Sequence, residues 1–196
     1  MKYNKEKREI VLDREISNLD EFALKFTNIL KKYVDYVIIS GYVSIILGRV
    51  RVTEDIDVFI KKISEKQFAE LYKELQEKGF WCLNAEKEKD IFDYLIDGLA
   101  VRFSYKNIPV PNFEVKFPKD KLDEEAFEDY ITVLLPKGRL KISSLERHIA
   151  FKRYYLASDK DVEDAEHIEE LFKNEIEQDK VNKLKELIKS RSWGKK

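Results

Sequence analysis

The chain has 196 residues, of which 43% are apolar and 38% charged, with a formal net charge of −1. That length suits one domain, or one domain with a small appendage, and the apolar share is enough for a packed core. Near-cancelling charge excludes any bulk electrostatic case for a nucleic-acid or membrane partner, and a single cysteine, Cys82, excludes an internal disulfide.

The first residues, "MKYNKEKREI", carry no apolar signal-peptide core, and the longest uncharged run, Tyr36 to Gly48, is shorter than the roughly 20 residues of a membrane span. The expectation is a soluble, cytoplasmic protein that does not engage a membrane. Abundant Lys, Glu and Ile with only 6 Gly and 4 Pro fit a protein from a hot environment, a thermophile.

Asn18 to about Tyr33 reads as a helix, with Asn18 and Glu21 as a capping box and Leu19, Phe22, Phe26, Ile29 and Leu30 as its apolar stripe. Tyr36 to Ser40 reads as a short strand, Gly41 to Leu47 as a brief helix stopped by Gly48, and Asp55 to Ile60 as a strand. Ser64 and Gln67 cap a helix that ends at Gly79. Phe80 to Leu83 is strand-like, and Trp81 and Cys82 are expected in the core. A helix at Lys89 to Ile96 and strands at Leu99 to Tyr105 and Phe113 to Phe117 follow, the strands joined by the Pro109–Pro111 loop. A short helix is expected within 120–129, and a hairpin at 131–142 turning on "PKG". From Ser143, capped with Glu146, the chain reads helical. The best internal boundary therefore divides an α/β core, 1–142, from a helical region, 143–196, docked on it. The tail "KSRSWGKK" reads as a solvated basic terminus that could touch RNA.

Two carboxylates interrupt the most apolar part of the chain. In "DIDVFI" the side chains alternate, so Ile56, Val58 and Ile60 face a core while Asp55, Asp57 and Phe59 face the other way. The two Asp residues are then roughly 6–7 Å apart at Cα. Like charges this close repel unless a cation lies between them, and Mg²⁺ (or Mn²⁺), with its preference for carboxylates plus substrate phosphates, is the simplest such cation. A solvated turn is the plainer reading of an Asp-x-Asp pair. Ser40 and Gly41, between a strand and a helix start, add a place where backbone N–H groups can meet phosphate, and Arg51 and Thr53 precede the acids.

The unit strand, Ser-Gly, short helix, "RVTEDID", strand resembles the nucleotidyltransferase superfamily signature, and within it the AbiEii-type toxin family with its R-x-[ST]-x-D-x-D element. The resemblance reaches, more faintly, to about residue 173. The family often has Gly-Gly or Gly-Ser at the turn, where this chain has Ser40-Gly41. The fold implied is α/β (α+β), a mixed sheet flanked by helices with a C-terminal helical region. The resemblance also implies a third carboxylate from a later strand. Glu114 in "PNFEVKF" is the candidate, because Phe113, Val115 and Phe117 alternate against Glu114 and Lys116; an ordinary half-exposed strand acid is the alternative. Asp97, beside Gly98, is the runner-up, and Arg102 holds the place where the neighbouring strand could have carried an acid.

Lys152 falls within the apolar stripe of Leu145, Ile149 and Leu156, so it either meets an anion or snorkels to the surface. Asp161 and Asp164 fall with Ala165, Ile168 and Leu171 rather than on the solvated face of Glu163, Glu166 and Glu170. Capping of a helix start near Ser158 is the plain role for Asp161. The toxin family carries a lysine on one helix and a K-D-x-x-D run on the next, matched by Lys152 and by Lys160, Asp161 and Asp164. It implies that Asp161 acts as a base or orients the acceptor and that Lys152 meets the triphosphate. His148 and His167 lack ligand spacing and read as structural.

The resemblance implies metal-dependent transfer of a nucleoside monophosphate from a nucleoside triphosphate bound over Ser40-Gly41. Asp55, Asp57 and Glu114 would hold the Mg²⁺. The acceptor stays open among an RNA 3′ end, a protein hydroxyl and a small molecule; the toxin resemblance favours RNA or protein and implies that a cognate antitoxin could exist. The alternative is a catalytically silent module of the same fold that binds a protein or nucleic-acid partner.

Overall fold

Strand alternation and helix stripes dictate two layers of helix around one sheet. The structure, a computed structural model, describes residues 1–193. Its nine strands are β1 (Lys2–Asn4), β2 (Glu9–Val11), β3 (Tyr36–Ile38), β4 (Asp55–Ile60), β5 (Phe80–Cys82), β6 (Val101–Tyr105), β7 (Asn112–Lys116), β8 (Tyr130–Leu135) and β9 (Gly138–Ser143). They form a single mixed sheet in the order β1-β2-β8-β9-β3-β4-β7-β6-β5. The pairs β2–β8, β3–β9 and β4–β7 are parallel, and the others antiparallel.

Helices α1 (Asn18–Tyr33), α3 (Glu65–Glu77) and α4 (Glu88–Ile96) lie on the face to which Ile56, Val58, Phe113 and Val115 point. Phe26 of α1 stacks on Phe113 with ring centroids 4.1 Å apart, and Phe22 stacks on the same ring at 5.2 Å. Each such ring buried is worth about 1.5–3 kcal/mol of transfer free energy. This aromatic layer fixes the register that turns Asp57 and Glu114 to the opposite face.

That opposite face is covered by the brief helix α2 (Gly41–Ile46), the one-turn α5 (Lys121–Glu124) with a 3₁₀ turn at Glu125–Phe127, and three C-terminal helices, α6 (Leu145–Phe151), α7 (Asp159–Leu171) and α8 (Gln178–Trp193). A π-helical turn, Lys152–Leu156, continues α6 and ends at Ala157 with φ of 55°. Among the described residues no helix is long and apolar enough to cross a membrane.

Several sequence expectations are corrected. The cap of α1 is Ser17, with Asp20 completing the box, not Asn18 with Glu21. The cap of α6 is Ser144, not Ser143. Strands β1 and β2 were not expected from so charged an N-terminus. Trp81 is not core: it faces out from the edge strand β5, with Lys106 4.6 Å from its ring centre, and Cys82 is only half-buried. Within the tail, Arg191 is not solvated, since it pairs with Asp120 at 2.7 Å and Asp123 at 3.0 Å; residues 194–196 lie outside the described residues.

Candidate active site

The acid pair on β4 falls where its alternation requires. Ile56, Val58 and Ile60 are fully buried while Asp55 and Asp57 are half-buried on the other face. Strand β7 lies parallel to β4 in a register that sets Glu114 directly opposite Asp57. These two facing carboxylates come from positions 57 residues apart in sequence. Thr53 braces the start of β4 by donating to the Asp55 carbonyl (3.0 Å) and to its carboxylate (3.3 Å). Asp97 sits exposed at the end of α4.

A lysine lies between the acids. Lys116 shares the face of Glu114, two residues on, and its Nζ is 2.8 Å from Asp57 Oδ1 and 2.5 Å from Glu114 Oε1. Arg102, opposite Glu114 on β6, reaches the other oxygen, Oε2, at 2.9 Å. Burial raises the Asp57 carboxyl above its ordinary value, only partly offset by Lys116, with Glu114 and Asp55 adding to the rise. Burial acts on Glu114 in the same sense, but its bonds to Lys116 and Arg102 outweigh it and hold that carboxyl low.

The turn ahead of α2 is unusual. Ser40 adopts φ 60° and ψ −140°, a conformation that glycine reaches freely and other residues reach only at a cost. A Cβ at Gly41 would fall 2.1 Å from an Arg51 guanidinium nitrogen, so a larger residue there has to displace the end of that side chain. Arg51 does not turn to the acids. It pairs with Asp164 at 3.1 Å.

Asp164 is the hub of a buried charge cluster. It is fully buried, takes Lys152 at 3.0 Å and Arg51 at 3.1 Å, and has Arg49 at 3.7 Å, none of these an aligned hydrogen bond. Lys152 does not snorkel; its Nζ is 2.6 Å from Asp161 and only 3% of its side chain is exposed. Asp161 also accepts from the Ser158 backbone and hydroxyl, so it caps α7 and neutralises Lys152 together. His148 is buried, with Nε2 2.8 Å from Ser44 Oγ. Burial, then the charges of Lys152 and Arg51, push its imidazole down to about 3, so it is neutral. This agrees with a structural histidine.

A cavity of about 410 Å³ joins these groups. Asp57, Glu114 and Lys116 lie on the sheet side and Ser40 at one end. His148, Lys152 and Arg147 come from α6 and its extension, and Phe151, Tyr155 and Leu156 supply an apolar wall. The volume is that of a small-molecule site. Of the residues expected to act together, Asp57, Glu114, Ser40 and Lys152 line it; Arg51 and Asp161 stand behind Lys152, and Thr53 beneath Asp55. Sequence reasoning assigned no role to Lys116, Asp164, Arg102 or Tyr155. The visible signals were the shared strand face of Glu114 and Lys116, and an acid at 164 on an apolar stripe.

Among the described residues no three Asp, Glu, His or Cys side chains are already arranged around a single metal position. The donor chemistry nevertheless fits a hard divalent cation. Asp55, Asp57 and Glu114 offer only carboxylate oxygen on one face, and two of them already share one positive charge.

No family model and no curated protein matches the chain. Solved structures do. An antigenic nucleotidyltransferase-like protein from Paracoccidioides brasiliensis is 16% identical, with a TM-score of 0.53 over 88% of each chain. ANT(2'')-Ia in complex with adenylyl-2''-tobramycin is 15% identical, with a TM-score of 0.58 over 90% of this chain and 99% of that one. The solution structure of the antibiotic-resistance factor ANT(2'')-Ia is 14% identical, with a TM-score of 0.54 over 91% of this chain and 96% of that one. At such identities the likeness is one of architecture, and the chain has the fold of the nucleotidyltransferases.

Proposed function

We propose that this chain is a metal-dependent nucleotidyltransferase that moves a nucleoside monophosphate from a nucleoside triphosphate to an acceptor hydroxyl. One observation carries the reading: Asp57 and Glu114 face each other across adjacent parallel strands at the edge of a cavity that also touches Ser40 and Lys152. The region 1–142 serves as the catalytic core, and 143–196 as a helical region closing over it.

Asp55, Asp57 and Glu114 would hold the Mg²⁺ or Mn²⁺, Asp57 and Glu114 on the acceptor side and Asp55 and Asp57 on the triphosphate side. When bound, the ion would supply charge neutralisation at the triphosphate and acidify the attacking hydroxyl. The acceptor oxygen bonds to the α-phosphorus as the bond to pyrophosphate breaks. The proton of the attacking hydroxyl passes to a neighbouring carboxylate or to water as the new bond forms. Ser40 and Gly41 present backbone N–H groups to the phosphates. Lys152 lines the cavity wall where it meets the triphosphate, and Asp161, behind it, holds that lysine in place and through it helps to orient the acceptor.

The toxin resemblance favours RNA or protein as acceptor, with a cognate antitoxin; a small molecule is the third acceptor class, and ANT(2'')-Ia, whose complex holds adenylyl-2''-tobramycin, supports testing it. A second reading, a catalytically silent module of the same fold, is favoured by the pairing of Asp57 and Glu114 with Lys116 and Arg102. Incubation with each α-labelled nucleoside triphosphate, Mg²⁺ and, separately, RNA, protein and small-molecule fractions decides. Label transfer in one fraction, lost in Asp57→Asn, is the expected result. No transfer in any fraction, with no nucleotide binding, favours the silent module.

A further inference from the structure

The geometry points to Lys116 as a resident counter-ion that a divalent cation must displace before the site can work. This rests on the metal-dependent reading above. Strand register, rather than a flexible loop, puts the lysine there. Glu114 and Lys116 lie on one face of β7, and Asp57 lies opposite Glu114 on β4. The ammonium touches one oxygen of each acid, Asp57 Oδ1 and Glu114 Oε1, so it bridges the pair rather than capping one member.

A cation that bridges both carboxylates and a metal that binds both compete for that position, because two positive charges at contact repel and each draws on the same pair of acids. The lysine also has a way out. Its side chain is 26% exposed, against 17% and 13% for the acids it joins, and it lines the cavity where triphosphate would lie. Arg102 stays on the far oxygen of Glu114, so that acid keeps one partner when the lysine leaves. The consequence is a site whose apparent metal affinity is set by competition with its own side chain, and whose acids remain neutralised without metal.

The test is Mn²⁺ titration of the whole protein, reading free Mn²⁺ by electron paramagnetic resonance. Lys116→Met keeps the stem and removes the charge, and should bind Mn²⁺ about tenfold more tightly than wild type. Lys116→Arg keeps the charge and should bind no more tightly than wild type. In the metal-free state Lys116→Met should melt lower than wild type, and Mn²⁺ should restore more of its melting temperature. If wild type binds Mn²⁺ in an Asp57-dependent way and Lys116→Met binds no tighter, the counter-ion role is overturned and the functional reading stands. If neither binds Mn²⁺, both fall. If Lys116→Met does not fold, amine acylation of Lys116 in wild type, followed by mass spectrometry, reads the same event. Reactivity should rise with Mg²⁺, and an unchanged rate overturns the displacement.

Discussion

Ser40 holds a backbone conformation that costs a side-chain-bearing residue on the order of 1–3 kcal/mol. Ser40→Gly should therefore raise the melting temperature by a few degrees, about 1 kcal/mol for a chain of this size; an unchanged or lower value would show no strain stored there. Lys152 is buried against two acids, so Lys152→Met should cost about 3 kcal/mol in denaturant titration, because Asp161 and Asp164 lose their shared cation.

His148 makes a pH prediction with a definite sign. Its folded value is about 3 against an ordinary 6.5, and it is faced by Ser44, Lys152, Arg51, Asp161 and His167. Between those values the unfolded chain binds a proton that the folded chain does not. Stability is therefore full above about pH 6.5 and falls as pH drops toward 3, by about 2 kcal/mol at pH 5. Asp161, whose carboxyl is held low because the bonds from Lys152 and Ser158 outweigh the upward push of burial, adds a loss in the same direction only below its ordinary 3.8. Unfolding followed from pH 8 to 5 should show this slope in wild type and lose it in His148→Gln.

At the residue scale, Asp55 and Asp57 were legible because charge inside an apolar run is costly and needs a reason. Lys116 was placed on the right face but its partner was not, because the register of β7 on β4 is a long-range fact that alternation alone does not contain.

At the scale of elements, the strongly periodic segments were legible. Helices α1 and α3 and strand β4 follow the sequence pattern, and β4 begins and ends where the alternation does. The caps slipped by one residue where two candidates stood side by side, Ser17 with Asn18 and Ser143 with Ser144, since only the φ/ψ of the chain decides between them. Ser17→Ala should cost about 1 kcal/mol, measured by thermal unfolding. Strands β1 and β2 were missed because each is only three residues long and its order is not local: β2 is held by β8, where Glu9 meets Thr132, and the edge strand β1 by β2. Helix α8 is held by Val181, Leu184 and Ile188 in the core and by Arg191 on Asp120 and Asp123. Ending the chain at Glu177 removes all of these. The three apolar side chains alone are worth about 5 kcal/mol or more, so circular dichroism should show a sharply lower melting temperature.

For the whole molecule, the aromatic face of the sheet and its acidic face depend on each other. Stacking of Phe22 and Phe26 on Phe113 fixes the strand whose next residue is Glu114, and the helices on the other side bring Lys152 and the wall of Phe151 and Tyr155 over the acids. The sequence disclosed the existence of a paired-acid strand and the helical C-terminal region; the cavity between them, assembled from five or more separate segments, was not readable from local pattern. The central claim is that acids from β4 and β7 hold a divalent cation at the mouth of that cavity. Its most direct test is a crystal structure with Mn²⁺ and a non-hydrolysable nucleoside triphosphate, with the metal located by anomalous scattering. The expected result is a peak at about 2.1 Å from oxygens of Asp57 on β4 and Glu114 on β7, with Lys116 moved off the pair and phosphates against Ser40-Gly41. Nucleotide bound elsewhere, with Lys116 still joining Asp57 to Glu114 and no peak between them, would contradict it.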